Sequence, residues 1–245
     1  MNKNRKLYIV IPAYNESSNI KSVIDEWHSV LKLADEDSRL VIINDGSTDD
    51  TLAILYDLQK EYSKLIILDK QNGGHGAACL YGYRYAIKQH ADFVFQTDSD
   101  GQTVASEFTP FWDERNRYDF QIGWRRGRQD GFGRVIVTNT LKALIFFMFG
   151  CTVTDANTPY RLMSSNLLKE YLAVIPEDFF LANVLISILA VKRKAHIKFR
   201  QITFRPRQGG KNTINFRRIV GIGLQSLREF RKFKKENYMF LAGGE

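Results

Sequence analysis

The sequence predicts an α/β fold with a mostly parallel, Rossmann-like sheet flanked by helices. Two observations support this prediction. Apolar runs of strand length, such as Leu7–Pro12 and Arg39–Asn44, alternate with segments of helical periodicity, as they do in successive βαβ units. Polar loops that contain glycine or aspartate follow these runs directly. Ligands of parallel sheets bind beyond the carboxyl ends of the strands, so these loops are the first place to look for a site.

The first half of the chain repeats the strand–helix pattern. Its strands are predicted to be buried on both faces, because their apolar sequence is nearly continuous rather than alternating. The predicted strands are residues 7–12, 39–44, 65–70 and 92–98. The predicted helices are residues 19–32, 51–62 and a segment that a glycine turn opens at 72–76. This order brings the loops PAYNE, NDGSTDD, KQNGGHG and TDSDGQ to one rim of the sheet.

The second half is less regular. It contains a predicted strand at 118–124, a basic glycine-rich loop at 125–134, a polar turn at 155–162, a helix at 177–193, and a strand that leads into a second basic loop by 212. Two helices are predicted to lie in a membrane interface, Val135–Phe149 and the basic amphipathic Phe216–Lys235. We expect one catalytic domain over residues 1–213, and a basic helix and tail over 214–245.

Composition limits the classes of function. The chain has 245 residues, 44% hydrophobic content and a formal net charge of +8, which predict a folded domain with anionic partners. The two cysteines form no metal-ligand or disulfide pattern. The longest apolar run is shorter than the roughly 20 residues of a membrane-spanning helix, and no signal peptide is evident.

The stretch QTDSDGQ, residues 96–102, is the most suggestive loop of the rim. Asp98 and Asp100 follow a buried strand, two residues apart, with a glycine and Gln102 beyond. Oxygen ligands of this kind suit Mg²⁺ or Mn²⁺ shared with substrate phosphates, but the same residues also make a solvated turn. For Asp45, hydrogen bonding to a base or ribose and simple turn formation are both open.

Taken together, the loops carry a family resemblance. VIPAYNE, NDGSTDD, NGGHGAA and TDSDGQ, each after a strand, resemble the inverting glycosyltransferases of family 2, which have the GT-A fold. In the second half, GWRRGRQDGFGR, DANTPYRLM and RPRQGGKN resemble the polyprenyl-phosphate branch, which includes dolichyl-phosphate mannosyltransferase. The resemblance extends from about Leu7 to residue 215.

The resemblance implies roles for individual residues. It implies that the metal ligands are Asp98, Asp100 and Gln102. It implies that the nucleotide-sugar is bound by Pro12, Tyr14, Glu16, Asp45, Gly73, Gly74, Asp98 and Ser99. It implies that the acceptor phosphate is bound by Arg125, Arg128, Arg134, Arg161, Arg205, Arg207 and Lys211. It implies that the catalytic residues are Asp155, Asp100 and Arg125.

The implied reaction is the metal-dependent transfer of a sugar from a UDP- or GDP-sugar to a polyprenyl phosphate, undecaprenyl or dolichyl. A phosphate nucleophile is already anionic and needs no strong general base. One alternative is a family 2 enzyme that acts on a hydroxyl of a glycan, with Asp178 as the base. The other is a non-catalytic module that binds anionic ligands or membranes. Nucleic acid is not expected, because the basic loops lack interleaved aromatic residues.

The expected location follows from the substrates. A lipid-phosphate acceptor, the apolar helix Val135–Phe149 and the basic amphipathic helix Phe216–Lys235 favour a cytoplasmic protein held peripherally on the inner face of the membrane, although Val135–Phe149 also fits a core or oligomer helix. A homo-oligomer is compatible with these observations.

Overall fold

The computed structural model describes residues 5–125, 132–206 and 216–242, without the side chains of 132–137, 216–220, 222 and 242. Within these residues, seven strands form one sheet in the order β3-β2-β1-β4-β6-β5-β7. The strands are β1 (Leu7–Ala13), β2 (Arg39–Asp45), β3 (Leu65–Lys70), β4 (Phe93–Thr97), β5 (Phe120–Arg125), β6 (Tyr160–Ser164) and β7 (Ile197–Ile202). The fold is the predicted mostly parallel α/β sheet flanked by helices.

Helices cover both faces of the sheet. They are α1 (Ile20–Val30), α2 (Thr51–Glu61), α3 (His75–Lys88), α4 (Thr109–Asp113), α5 (Phe132–Phe149), α6 (Ser165–Leu172), α7 (Ala182–Lys192), α8 (Phe216–Glu236) and α9 (Tyr238–Ala242). Short 3-10 turns span Leu31–Leu33 and Ala105–Phe108. Helix α1 shows why such segments fold here, since its buried residues recur at helical spacing and form one apolar stripe against the sheet.

Strand β1 lies at the centre and is buried along its whole length. Tyr8 and Val10 enter one apolar cluster, whereas Leu7, Ile9 and Ile11 enter another. Alternate side chains therefore fill cores on opposite faces of the sheet. This two-sided burial is the physical reason why the strand sequence is continuously apolar, as the sequence predicts.

Strand β6 corrects the expectation of a polar turn at 155–162. The turn ends at Thr158, and Tyr160 already pairs with Thr97 of β4 in an antiparallel strand that also pairs with β5. The sequence predicts a turn here because Pro159 and Arg161 are untypical of a central strand. Because β6 runs against β4, its beginning rather than its end lies at the carboxyl end of β4.

Helices α5 and α8 pack together beside the main core. The rings of Phe149 and Phe230 lie 5.4 Å apart, and Phe233 is also buried, near Phe179. The apolar face of the second half of α8 is therefore occupied by the protein itself, which corrects the expectation that this face lies in a membrane interface. On α5 the opposite face is open, and Phe147 remains 82% exposed.

None of the helices in the described ranges combines the length and hydropathy that a membrane span requires. The boundary expected at residue 213 falls in a segment outside the described residues and stays a prediction.

Candidate functional site

The loops after β1 and β2 are hydrogen-bonded to each other. The backbone N–H of Asn15 donates to Ser47 Oγ at 3.0 Å, and that of Glu16 donates to Thr51 Oγ1 at 2.8 Å. Asn15 adopts φ 55°, a left-handed conformation that Asn tolerates better than most residues. These bonds fix the PAYNE loop on the first turn of α2.

Asp45, at the end of β2, joins the second loop to the third. Its Oδ1 accepts from Lys70 Nζ at 2.6 Å and from the Gly73 N–H at 2.9 Å, and its Oδ2 accepts from the Gly74 N–H at 2.8 Å. The sequence predicts that Asp45 contacts a nucleotide directly. In the structure both carboxylate oxygens also accept hydrogen bonds from the protein, so Asp45 holds the glycine loop in place.

Asp98 joins the third loop to the fourth. Its Oδ1 accepts from Gln96 Nε2 at 2.9 Å and lies 2.9 Å from His75 Nε2, the first residue of α3. Burial opposes ionisation of Asp98. The His75 ring, the Arg125 guanidinium and the Gln96 amide outweigh burial and hold the pKa of this carboxyl below its ordinary value. The neighbouring Cys79 sulfur and Asp98 raise the pKa of His75.

Asp100 and Gln102 form the far side of the fourth loop, where Gly101 takes φ 70°. The Gln102 N–H donates to Asp100 Oδ1 at 3.1 Å, and its side-chain Nε2 donates to the Arg205 carbonyl at 2.9 Å. The Arg205 N–H returns a bond to the Gln102 carbonyl at 2.7 Å. The loop after β7 is thus attached to the QTDSDGQ loop.

The four strand-end loops therefore meet at one rim, as the sequence predicts. Within the described ranges, no three His, Cys, Asp or Glu side chains come close enough together to enclose a metal ion by themselves. The rim offers two carboxylates, Asp98 and Asp100, and the amide oxygen of Gln102. Such a set is suited to a cation whose remaining ligands come from a bound phosphate compound.

The other residues predicted to bind a nucleotide-sugar lie around this rim. Tyr14 is half exposed after β1, and Pro12 is part of the strand. Glu16 is buried and its Oε2 accepts from Asn19 Nδ2 at 2.8 Å, just before α1. Ser99 is buried between the two aspartates. Tyr14 is thus the most accessible of the four side chains.

Arg125 and Asp155 are brought together as an ion pair. Nε and Nη2 of Arg125 donate to the two oxygens of Asp155, with 2.8 Å for the Nε bond, and the Arg125 N–H adds a third bond. The guanidinium also lies over the Phe204 ring, 4.7 Å from its centre. Asp155 has φ 48°, so a left-handed turn places its carboxylate under the arginine.

Arg161 is a correction among the residues predicted to bind acceptor phosphate. It is 0% exposed, and its donors go to the carbonyl groups of Ala156, Thr158 and Asn183. A buried guanidinium whose N–H groups serve backbone carbonyls cannot also contact a phosphate at the surface. Arg161 therefore stabilises the turn before β6. Arg128, Arg207 and Lys211 lie outside the described residues, as does the side chain of Arg134.

The sequence predictions missed two polar residues behind the rim, Gln96 and Asn183, and gave His75 no structural role. A glutamine inside the otherwise apolar FVFQT strand was the available signal for Gln96. Asn183 gave no comparable signal, because an asparagine near a helix start usually has a local role.

The comparisons with known proteins agree with this architecture. A dolichyl-phosphate N-acetylglucosaminyltransferase from Methanococcus voltae that uses UDP-N-acetylglucosamine is 28% identical over 68% of this chain and 72% of its own length. An undecaprenyl-phosphate 4-deoxy-4-formamido-L-arabinose transferase from Proteus mirabilis is 23% identical over 90% of this chain and 66% of its own length. The chain spans only 32% of a dolichyl-phosphate β-glucosyltransferase from Trichomonas vaginalis, at 33% identity over 42% of the chain.

Solved structures show the same fold. Glucosyl-3-phosphoglycerate synthase from Mycobacterium tuberculosis, in complex with UDP, aligns over 94% of this chain and 80% of its own, with a TM-score of 0.67 and 20% identity. The same enzyme was also crystallised with Mn²⁺, UDP-glucose and glycerol 3-phosphate, and that structure aligns with a TM-score of 0.65 and 19% identity. The sequence model described as Glycosyl transferase family 2 matches residues 8–172, which include all four strand-end loops and Asp155. The chain belongs to glycosyltransferase family 2.

Proposed function

We propose that this protein transfers a sugar, with inversion, from a nucleoside-diphosphate-sugar to a polyprenyl phosphate. One observation carries the proposal. The loops after β1, β2, β3 and β4 are hydrogen-bonded to one another in that order and form one rim. The Arg125–Asp155 pair adjoins this rim, because Arg125 lies over the Phe204 ring and the next residue, Arg205, is hydrogen-bonded to Gln102. A donor site and a cationic acceptor site would thus lie side by side.

The donor would lie along the rim of the first four loops. The start of α3, behind the glycine loop that Asp45 holds, presents backbone N–H groups, which suit a diphosphate. Tyr14, which is half exposed, would cover the base or ribose. A divalent ion, Mg²⁺ or Mn²⁺, would be held by Asp98, Asp100 and Gln102 together with the diphosphate. Such an ion supplies positive charge to the leaving nucleoside diphosphate.

The acceptor would meet the donor at Arg125. A phosphate oxygen of the lipid attacks the anomeric carbon of the sugar and forms the new C–O bond. The bond between the anomeric carbon and the diphosphate oxygen breaks, and its electron pair leaves with that diphosphate oxygen. Arg125 would hold the acceptor phosphate, and Asp155 keeps the guanidinium in position through its paired oxygens. Arg205, whose backbone is joined to Gln102 and whose guanidinium pairs with Glu26 at 3.0 Å, would add a second cation.

The hydroxyl-acceptor alternative receives no support from the position of Asp178. This carboxylate lines a small pocket with Glu229, Lys232 and Glu236 of α8. Neither Asp98 nor Asp155 is among the residues that line this pocket.

The activity test is direct. The protein is incubated with Mn²⁺, undecaprenyl or dolichyl phosphate, and each member of a panel of UDP- and GDP-sugars, and release of the nucleoside diphosphate is measured. We expect Asp100→Ala to lose transfer while its thermal unfolding stays cooperative. Asp57→Ala removes an exposed carboxylate on α2 and serves as the matched control. Full activity of Asp100→Ala with the metal chelated would refute the proposal.

We further propose that α5 and α8 bring this site to a membrane surface, on the cytoplasmic face where nucleotide-sugars are available. Phe146 and Phe147 of α5 project from the protein, and Leu224 of α8 is half exposed. Arg231 and Lys234 line the groove between the two helices, next to Phe147 and Met148. Exposed aromatic rings beside basic side chains are complementary to anionic lipid headgroups over an acyl layer.

A further inference from the structure

A chain of buried polar groups runs through the core and ends on Asp98. The Tyr83 hydroxyl donates to Asn183 Oδ1 at 2.7 Å, Asn183 Nδ2 donates to Gln96 Oε1 at 3.0 Å, and Gln96 Nε2 donates to Asp98 Oδ1 at 2.9 Å. Gln96 is 0% exposed and Asn183 is 2% exposed. Each amide accepts on its oxygen and donates from its nitrogen, so the direction of every bond is fixed.

Burying such a series of polar groups in a core costs free energy of folding. A buried amide that loses its partner costs on the order of 1–3 kcal/mol, whereas an apolar side chain of similar shape has no such cost. Gln96 lies in strand β4, FVFQT, whose five residues are all buried and of which only Gln96 and Thr97 are polar. The stability of the fold therefore explains this series of hydrogen bonds poorly. Its end at the rim is the carboxylate of Asp98.

The far end of this chain is held rigidly. The Asn183 carbonyl accepts from the buried Arg161 Nη1 at 2.8 Å. The residues just before Asn183 lie against the start of α3, where a Cβ on Gly76 would come within 2.4 Å of the carbonyl oxygens of Phe179 and Phe180. Asn183 is thus fixed from two sides, and it can fix Gln96 in turn.

His75 provides a second donor to the same oxygen. An ionised carboxylate only accepts, so His75 Nε2 donates to Asp98 Oδ1. The Cys79 sulfur packs against the ring, 3.8 Å from Nδ1 and 3.9 Å from Nε2. Gln96 reaches this oxygen from the core, and His75, which is 49% exposed, reaches it from the solvent side.

We propose that Gln96, Asn183 and His75 are positioning residues that occupy Oδ1 of Asp98 and so present Oδ2 as the one oxygen for a divalent cation. The inference rests on the proposed function, which supplies the cation with its nucleoside diphosphate. Asp98 then contributes a single bond to the ion, and the position that a second oxygen would fill stays available to the diphosphate.

The test measures metal binding without turnover. Free Mn²⁺ is followed by electron paramagnetic resonance during titration of the full chain with UDP or GDP, whichever the wild type binds. We expect Gln96→Met, which keeps the volume but removes the donor, to weaken Mn²⁺ binding roughly 10–100-fold, the usual cost of losing a group that orients a metal ligand. Saturating Mn²⁺ should restore kcat, whereas the donor KM at low Mn²⁺ rises.

The chain offers a matched control. Gln121 is a second fully buried glutamine in a strand, and it bonds to the Phe111 carbonyl at 2.7 Å, away from the rim. Gln121→Met should lower stability comparably and leave Mn²⁺ affinity unchanged. Equal Mn²⁺ affinity in Gln96→Met and the wild type would overturn the inference.

If Gln96→Met does not fold, variants of His75 provide the test, because substitution at this half-exposed position leaves the fold intact. His75→Ala should weaken Mn²⁺ binding, and His75→Gln, which retains a donor, should recover most of it. Unchanged affinity in His75→Ala would count against the proposal. If the wild type transfers sugar and these variants bind Mn²⁺ as the wild type does, only this inference is refuted. If the wild type neither transfers sugar nor binds Mn²⁺, the proposed function is refuted as well.

Discussion

At the scale of single residues, the rim is built by side chains that bind other loops of the protein. Asp49 is one of them. Its Oδ1 accepts from the Thr51 N–H and its Oδ2 from the Ser17 N–H at 3.2 Å, so it ties the loop after β1 to the start of α2. Burial alone would raise the pKa of Asp49. The hydrogen bonds from Thr51 and Ser17 outweigh burial, and the pKa lies below the ordinary value of 3.8.

We predict that Asp49→Asn lowers the urea midpoint at pH 7. A carboxyl whose folded-state pKa is depressed stabilises the fold above its unfolded pKa, and that contribution is lost as the pH falls through the folded-state value. The loss at pH 7 should be at most about 1 kcal/mol, because water screens a partly exposed carboxylate. As the pH falls below the folded-state pKa of Asp49, the wild type and variant should converge. Asp50→Asn, at the exposed neighbour, is the control, and a difference that does not shrink as the pH is lowered would contradict the prediction.

Asp155 allows a prediction about the acceptor. Asp155→Asn keeps a side chain that tolerates the left-handed backbone but removes the charge that holds Arg125. Losing a charged hydrogen-bonded pair of about 1.5–3 kcal/mol should raise the KM for polyprenyl phosphate on the order of tenfold, with the donor KM unchanged. Steady-state kinetics in both substrates tests this. An increase confined to the donor KM would contradict the assignment.

Sequence reasoning succeeded for residues whose chemistry is local and failed where partners come from distant segments. The pair Asp98 and Asp100 could be recognised because a strand end and a glycine turn are readable from neighbours along the chain. Arg161 could not be placed, because its burial depends on carbonyl groups from the turn before β6 and from α7. Asp45 has the predicted location, but its bonds to Gly73 and Gly74 could not be predicted, since these partners belong to another loop.

At the scale of elements, the start of α3 depends on Gly76. A side chain there would meet the Phe180 carbonyl oxygen at 2.2 Å, so α3 and the segment before α7 touch backbone to backbone. Strands β1, β2 and β4 could be predicted because burial on both faces leaves an unambiguous apolar run. Strand β3 lies at the edge of the sheet and is only partly buried, which corrects the expectation of burial on both faces, but its first four residues are still apolar. Strand β6 could not, because its pairing with β4 and β5 outweighs the poor strand propensity of its own residues.

We predict that Gly76→Ala destabilises the fold and weakens nucleotide binding together. Overpacking against fixed carbonyls costs about 1–3 kcal/mol, and the shift it forces would move His75 and the glycine loop. The control is Gly221→Ala on α8, where a Cβ meets no atom within 4 Å and where alanine should stabilise the helix by about 0.4–1 kcal/mol. Chemical denaturation and calorimetry with UDP or GDP measure both effects. Wild-type stability in Gly76→Ala would refute the close contact.

At the scale of the whole molecule, one side carries both exposed aromatic residues and positive charge. The formal net charge of +8 is compatible with an anionic surface, and the basic residues of α8 flank the exposed phenylalanines of α5. The sequence predicts both helices, but it assigns the wrong face to α8, because amphipathicity alone does not distinguish a protein core from a lipid layer.

We predict that replacing Phe146 and Phe147 together by serine reduces sedimentation with anionic phospholipid vesicles. Burying one phenylalanine contributes about 1.5 kcal/mol, so the double variant should bind roughly a hundredfold more weakly. Binding by the wild type should also fall in high salt and on neutral vesicles. Tyr56→Ser, which removes an exposed ring on α2, should bind as the wild type does. Equal binding of the double variant would exclude this face as the contact.

The reversed direction of β6 has a consequence for how such proteins diversify. Tyr160 pairs with Thr97, so the segment before β6 reaches the rim from the amino end of its strand while the donor loops leave from carboxyl ends. Insertions or deletions in residues 150–158 would therefore change the surroundings of Asp155 without shifting the register of β1, β2, β3 or β4. Over evolutionary time, an unchanged donor site can be combined with new acceptor sites through changes in the length of the segment before β6.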